Sequence, residues 1–137
     1  MSVNYSVLIV EPETELRETI TRQLLRRGYN VTAVNHPRQA LAVATFKDFA
    51  VAVVGAELPE IECSILVERL QRLIGDLKPI VVSDITALPR VTAGVSVIER
   101  SLSSASLEQA ILAAIHAPRD EESLALAAPA ALVAPGV

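Results

Sequence analysis

Three acidic residues stand beside apolar segments that have the composition of buried strands. Glu11 directly follows the apolar segment 6–10, Glu13 lies two residues further on, and Glu57 follows the apolar segment 49–54. Carboxylates gathered at one edge of a sheet are ligands suited to Mg²⁺. Alternatively, Glu11 and Glu13 are solvated acids at the start of a helix, where the positive end of the helix dipole favours them. We favour the second interpretation.

One basic residue occupies a comparable position, because Arg100 follows the last short apolar segment, 95–98. At the carboxyl ends of parallel strands, where open α/β sheets collect their ligands, it could bind an anion. It could equally pair with Glu11, Glu57 or Asp84. We favour the ion pair over the anion site.

The remaining reactive side chains form no catalytic constellation. His36 and His116 have no candidate co-ligand nearby in the sequence, and the single cysteine, Cys63, reads as a quiet, partly buried thiol. No glycine-rich phosphate loop follows the first apolar segment. We therefore expect no enzymatic activity.

Bulk composition excludes several classes of partner. The 137 residues carry 12 basic and 16 acidic side chains, which gives a formal charge of -4. A negative net charge of this kind does not indicate binding to nucleic acid or to an anionic membrane. No apolar segment approaches the ~20 residues of a membrane-spanning helix. One cysteine allows no intramolecular disulfide, and we expect a reducing, cytoplasmic setting.

The apolar segments alternate with helical periodicity, which predicts an α/β fold with a parallel sheet between helices. Pro89 and the shortness of the segment 84–94 predict that a fourth crossover helix is shortened or missing. We expect one domain over 1–117 and a flexible Ala/Pro-rich tail over 118–137. The predicted strands are 6–10, 29–34, 49–54, 79–82 and 95–98, and the predicted helices are 13–27, 37–46, 61–74 and one capped by Ser103 or Ser104.

Three motifs within residues 5–116 resemble the receiver domain of bacterial response regulators: VLIVE with ELR at 7–17, VGAELP at 54–59, and VIER at 97–100. The resemblance implies a flavodoxin-like three-layer sandwich with a five-stranded parallel sheet in the order 2-1-3-4-5. It also implies a place in two-component signal transduction, in which such a domain receives a phosphoryl group.

The functional positions of that family are altered in this chain. Gly55 falls on the phosphoacceptor aspartate, and Glu11 with Pro12 on the paired acids. Glu57 falls on the position that offers a backbone carbonyl to the metal, and Arg100 on the lysine. A glycine cannot accept phosphate, so we expect no phosphorylation and lost or weak Mg²⁺ binding.

The signalling switch of the family is altered as well. Its hydroxyl falls on Ser83 or Asp84, and its aromatic residue on Val97. We therefore predict a phosphorylation-independent protein-interaction module. Its partner would be a histidine kinase, an output protein, or a second copy bound through the fifth strand and the last helix. The alternative is a sensor of small ligands or anions, using space left at Gly55 beside Ser83, Asp84 and Arg100.

Overall fold

The parallel sheet has five strands, and helices cover both of its faces. The computed structural model describes residues 5–84, 95–100 and 103–117. The strand order is β2-β1-β3-β4-β5 with every neighbouring pair parallel, so the predicted topology is confirmed. In chain order the elements are β1 (Ser6–Val10), α1 (Thr14–Arg26), β2 (Asn30–Val34), α2 (Pro37–Ala44), β3 (Val51–Gly55), α3 (Cys63–Leu73), β4 (Lys78–Ser83), β5 (Ser96–Glu99) and α4 (Ser104–Ile115).

Local signals in the sequence account for the helix ends. Glu15 lies in the first turn of α1 and Arg26 in its last turn, so both charges complement the helix dipole. Gly28 follows with φ of 92°, a left-handed conformation that glycine adopts at low cost. The hydroxyl of Ser103 accepts from the N–H of Ser106 and caps α4.

The strands contribute side chains alternately to two hydrophobic cores. Val7 and Ile9 pack on the side of α1 and α4, whereas Leu8 and Val10 pack on the side of α2 and α3. All four are fully buried because β1 lies inside the sheet with helices on both faces.

Not all of the apolar residues of α3 are buried. Ile65 and Leu73 have the helical spacing of Leu66 and Leu70, but they are among the exposed large apolar side chains. An apolar residue is allowed on the outer face, so the periodicity alone did not fix which residues of α3 face the sheet. The buried residues of α3 are Cys63, Leu66, Val67 and Leu70.

Two sequence predictions fall outside the described ranges. The segment expected to hold a reduced fourth helix lies almost wholly within 85–94, and the tail 118–137 is likewise not described. Among the helices that are described, none has both the length and the apolar character needed to cross a membrane.

The two ends of the described domain meet at the amino-terminal edge of the sheet. Tyr5 and Ala117 line the same cavity of about 420 Å³, together with Lys78. The ammonium of Lys78 donates to the carbonyls of Ala114 at 3.3 Å and Ile115 at 2.9 Å, and to that of Ala117. A cation thus satisfies the last carbonyl groups of α4, where the helix dipole is negative.

Replacing Lys78 with methionine is expected to destabilise the protein by about 1–3 kcal/mol, because partly buried carbonyls at the end of α4 lose a charged donor. Methionine keeps most of the apolar stem, so the loss reports on the ammonium group. Urea unfolding followed by circular dichroism measures the change. The matched control is Lys47→Met, since Lys47 makes an exposed hydrogen bond to Thr32, and we expect a change of about 0.5 kcal/mol or less. Equal effects of the two substitutions would contradict the capping role of Lys78.

Candidate functional site

The carboxyl ends of β1, β3, β4 and β5 gather the residues singled out in the sequence. Glu11 follows β1, Gly55 is the last residue of β3, Ser83 is the last residue of β4, and Arg100 follows β5. The strand pairings place these ends side by side at one edge of the sheet. This edge is where ligands of open α/β sheets bind.

Glu11 is buried, with 3% of its surface exposed. Its backbone N–H donates to the carbonyl of Val34 at 3.1 Å, which extends the pairing of β1 with β2. Its Oε2 accepts from the backbone N–H of Glu13 at 2.8 Å. The interpretation of Glu11 as a solvated acid is therefore wrong, because the extension of β1 carries its side chain into the sheet edge.

The Glu11 carboxylate occupies the space beside Gly55. A β-carbon placed on Gly55 would lie far inside van der Waals contact of Oε1 and 3.2 Å from Cδ of Glu11. The expectation that glycine leaves an empty pocket is thus also wrong. Glycine at this position makes room for the carboxylate of a neighbouring strand.

Burial raises the pKa of the Glu11 carboxyl above its usual range, since desolvation disfavours the charged form. The hydrogen bond from the N–H of Glu13 and the charges of Arg100 and Arg17 act in the opposite direction. The negative charge of Glu13 adds to the rise. Desolvation is the largest of these effects, so keeping the Glu11 carboxylate ionised in the folded protein costs free energy.

Arg100 pairs with Glu13, which differs from the predicted partners Glu11, Glu57 and Asp84. This ion pair joins the end of β5 to the start of α1. The backbone N–H of Arg100 also donates to the carbonyl of Ser83, at 2.7 Å. Burial lowers the pKa of Arg100, but the hydrogen bond to Glu13 and the charges of Glu11, Glu13 and Asp84 outweigh it and raise the pKa. Arg100 thus takes part in an ion pair, as we favoured, but its partner is Glu13, which was not among the three predicted partners.

Arg17 is a site residue that the sequence reasoning did not identify. Its guanidinium donates to the backbone carbonyls of Glu11 at 2.9 Å and Pro12 at 3.3 Å. A positive charge near the start of a helix is unfavourable, because it opposes the helix dipole. The position of Arg17 in the sequence could therefore have indicated that its side chain makes a specific contact. Arg17 therefore binds the backbone of the connection 11–13, while Arg100 binds the side chain of Glu13.

The other predicted site residues differ in how far they are buried. Ser83 is buried and its hydroxyl donates to the carbonyl of Asp84 at 3.1 Å. Glu57 is exposed in the loop after β3. Val97, in β5, is 39% exposed and does not fill a core position.

A groove that could hold a small molecule lies between α1 and α4. It has a volume of about 510 Å³ and is lined by residues that include Glu13, Leu16, Arg22, Asp84 and Arg100. Gly55 is not part of its lining, so this groove lies away from the position that the sequence suggested.

The side chains at this edge do not fit a Mg²⁺ ion. A receiver magnesium site needs several carboxylate oxygens directed at one point. Here the carboxylate of Glu11 is bound to the N–H of Glu13, Glu13 is paired with Arg100, and Pro12 supplies no ligand. Across 5–84, 95–100 and 103–117 no three histidine, cysteine or acidic residues are grouped so as to hold a metal.

Cys63 opens α3 and is buried. Burial raises the pKa of its thiol to about 11, so the thiolate is scarce near neutral pH. Cys63 is thus more fully buried than the sequence predicted, and its low reactivity stays a prediction.

Replacing Glu11 with glutamine is expected to flatten the dependence of stability on pH. Because the pKa of Glu11 is raised on folding, the folded state holds this proton more tightly than the unfolded state does. The resulting stabilisation is complete below the unfolded value of about 4.5 and is lost as the pH rises through the folded value. The variant should therefore gain stability relative to the parent as the pH rises above 4.5. Urea unfolding at a series of pH values on both sides of 4.5 measures this gain, with the exposed Glu57→Gln as the matched control. Parallel curves for parent and E11Q would refute the assignment.

Solved structures similar to this one share the same architecture. A receiver domain from Methylobacillus flagellatus has a TM-score of 0.69 and 24% identity, covering 83% of this chain and 100% of that one. The chain has the CheY-like receiver fold. A response regulator from Burkholderia pseudomallei, solved with a phosphorylated aspartic acid, calcium ion and citrate, has a TM-score of 0.70 and 23% identity, covering 95% of this chain and 76% of that one. The receiver domain of the hybrid histidine kinase CckA has a TM-score of 0.69 and 19% identity, covering 81% and 99%.

The receiver fold of this chain is thus established from structure. No family model matches the sequence. No curated protein matches it either.

Proposed function

We propose that this protein is a cytoplasmic receiver-fold module that binds another protein of a bacterial two-component pathway without being phosphorylated. The observation that carries the proposal is the packing of Glu11 against Gly55 at the end of β3. On this proposal the protein is not an enzyme, and neither Mg²⁺ nor another cofactor takes part.

Acyl phosphate formation needs a carboxylate nucleophile that is accessible to the phosphodonor. Gly55 offers none, and the nearest carboxylate, that of Glu11, is buried and accepts a hydrogen bond from Glu13. The ion pair between Arg100 and Glu13 occupies the cation that would otherwise offset charge on a transferred phosphoryl group. These contacts support the proposal that this edge of the sheet stabilises the fold and takes no part in phosphoryl transfer.

The decisive experiment incubates the protein with a small-molecule phosphodonor and Mg²⁺ and records its intact mass. We expect no phosphoryl adduct. The Burkholderia pseudomallei regulator, whose solved structure carries a phosphorylated aspartic acid, is the positive control. A stable, hydroxylamine-sensitive phosphoryl adduct on any carboxylate of this protein would falsify the proposal.

The partner surface we propose is formed by α4 and β5. The exposed positions of α4 include Ala105, Gln109 and Ala113, which carry no charge, and Val97 of the edge strand β5 is 39% exposed. A weakly polar face of this kind suits a protein partner. A histidine kinase, an output protein and a second copy of the chain are the candidates.

Light scattering of the full chain over a range of concentrations separates these candidates. A homodimer through α4 and β5 predicts a mass that doubles with concentration, and a return to monomer in Ala113→Glu. A monomer at the highest concentration excludes the second copy and leaves a different protein as partner.

The groove between α1 and α4 supports a second candidate, a sensor of small ligands or anions. It is lined by Asp84 and Arg100, both of which the sequence had assigned to a ligand pocket, although Gly55 takes no part. A thermal-shift screen of nucleotides and small anions tests this function. Stabilisation lost in Arg22→Gln supports the sensor, whereas an unchanged melting temperature across the set counts against it.

A further inference from the structure

One edge of the sheet is formed by β2, and β5 forms the other. The N–H of Asn30 donates to the carbonyl of Tyr5 at 2.9 Å, and the carbonyl of Val34 accepts from the N–H of Glu11 at 3.1 Å. The backbone groups of Asn30 and Val34 are therefore turned towards β1. Because the backbone groups of a strand alternate in direction from one residue to the next, those of Thr32 point the same way.

The N–H and C=O groups of Val31 and Ala33 point away from β1, since these two residues alternate with the bonded ones. Across 5–84, 95–100 and 103–117 no further strand pairs with this side of β2. The strand has the sequence NVTAV, which contains neither a charged residue nor a proline, two devices that keep edge strands from pairing. This edge therefore presents backbone donors and acceptors to an added strand.

Positive charge flanks this edge on both faces of the sheet. A groove of about 360 Å³ lies between α1 and β2, and its lining residues are Arg17, Glu18, Thr21, Arg22 and Ala33. On the other face, which Thr32 shares with Val34, Nζ of Lys47 donates to Oγ1 of Thr32 at 3.2 Å. Three cations thus lie beside one acid, although the whole chain has a formal charge of -4.

Two of these cations are not neutralised by an acid. Within the described ranges, neither Arg22 nor Lys47 forms an ion pair. A second copy of the chain that paired through the same strand would bring these side chains towards their own counterparts, because a two-fold interface uses the same patch twice. Like charges there oppose association, whereas acidic side chains on an added strand are attracted. The charges therefore favour an acidic segment over a second copy.

We propose that the outer edge of β2 binds an extended acidic segment of another protein as an additional strand. The backbone of this segment pairs with the N–H and C=O groups of Val31 and Ala33, which supplies affinity. Its acidic side chains face Arg22 on one side of the sheet and Lys47 on the other, which supplies selectivity. This surface goes beyond the proposed function, because it lies at the opposite edge of the sheet from β5 and does not depend on phosphorylation.

Hydrogen exchange, measured by nuclear magnetic resonance on the full, isotopically labelled chain, tests the proposal. The probe is an octapeptide of alternating glutamate and valine. At saturating peptide we expect the exchange of the Val31 and Ala33 amides to slow by about tenfold or more, because both become hydrogen-bonded. The amides of Asn30 and Thr32 already bond to β1, so their exchange should change little.

Two variants separate the backbone contribution from the charge contribution. Ala33→Pro removes one outward N–H, and proline is accepted in an edge strand where its nitrogen faces solvent, so the variant should keep its circular dichroism and bind the peptide about tenfold more weakly. Lys47→Gln keeps every backbone group, and the loss of one exposed charge should weaken binding about two- to fivefold. Arg69→Gln, at an exposed position of α3, is the matched control and should bind as the parent does.

Any of four results overturns the proposal. The exchange of the Val31 and Ala33 amides does not slow with the acidic peptide, or it slows equally with an octapeptide of alternating lysine and valine. Slowing that follows protein concentration without peptide identifies a second copy as the occupant. Slow exchange of both amides in the dilute, peptide-free chain means that a segment of the chain itself covers the edge. None of these results changes the outcome expected with a phosphodonor, so this surface and the proposed function fail separately.

Discussion

Replacing Gly55 with aspartate is expected to destabilise the protein by about 2–4 kcal/mol near pH 7, although aspartate is the residue that receivers carry at the corresponding position. The new β-carbon would overlap Oε1 of Glu11, and the two carboxylates would share one buried space. Like charges in such a site oppose each other, and one of them must take up a proton or move. The penalty should therefore shrink towards about pH 4, which urea unfolding at both pH values measures.

Gly55→Ala separates the steric part of this penalty from the electrostatic part. Alanine adds the same β-carbon without a charge, so we expect a smaller loss of about 1–2 kcal/mol with little dependence on pH. A double-mutant cycle with Glu11→Ala completes the test, since removing the Glu11 carboxylate should recover at least about 1 kcal/mol of the cost of aspartate. If G55D is as stable as the parent near pH 7, the Glu11 carboxylate does not fill this space.

Truncating Leu8 to alanine should cost about 3–5 kcal/mol, a large share of the stability of a typical domain. Leu8 is fully buried in β1, between β2 and β3, and packs in the core on the side of α2 and α3. Its neighbours belong to a sheet that is tightly paired on both sides, so they cannot easily move to fill the cavity. Urea unfolding measures the loss.

Leu25→Ala is the matched control for this truncation. It removes the same atoms from a side chain of α1 that is 53% exposed, and we expect a change of about 0.5 kcal/mol or less. Similar losses for Leu8 and Leu25 would mean that the core of β1 is not packed as described.

The architecture could be predicted because the strands are indicated by patterns within short segments of the sequence. The segments 7–10 and 51–54 are continuous apolar runs, as strands buried on both faces require. Gly28 marks the end of α1 by its conformational freedom. These signals lie within a few residues of the elements they define. The order 2-1-3-4-5 came from the family resemblance, which the solved structures bear out for the fold.

The candidate site was harder to predict because its contacts join distant parts of the chain. The sequence placed Gly55 directly after β3, whereas it is the last residue of that strand. The sequence also could not show that the side chain of Glu11 reaches across from β1. The partner of Arg100 was missed for the same reason, since Glu13 lies 87 residues away and its proximity depends on where α1 begins. These contacts depend on side-chain rotamers and on the residue at which α1 begins. The periodicity of the sequence determines neither of them.

The meeting of Tyr5 and Ala117 around one cavity has a practical consequence for studying the protein. Both residues lie at the amino-terminal edge of the sheet, whereas Glu11, Gly55 and Arg100 lie at the opposite edge. A short peptide joining these two positions would close the domain into a circle with little strain. A circularly permuted protein opened in the exposed turn at Gly75 should therefore fold with the Glu11 carboxylate still seated against Gly55.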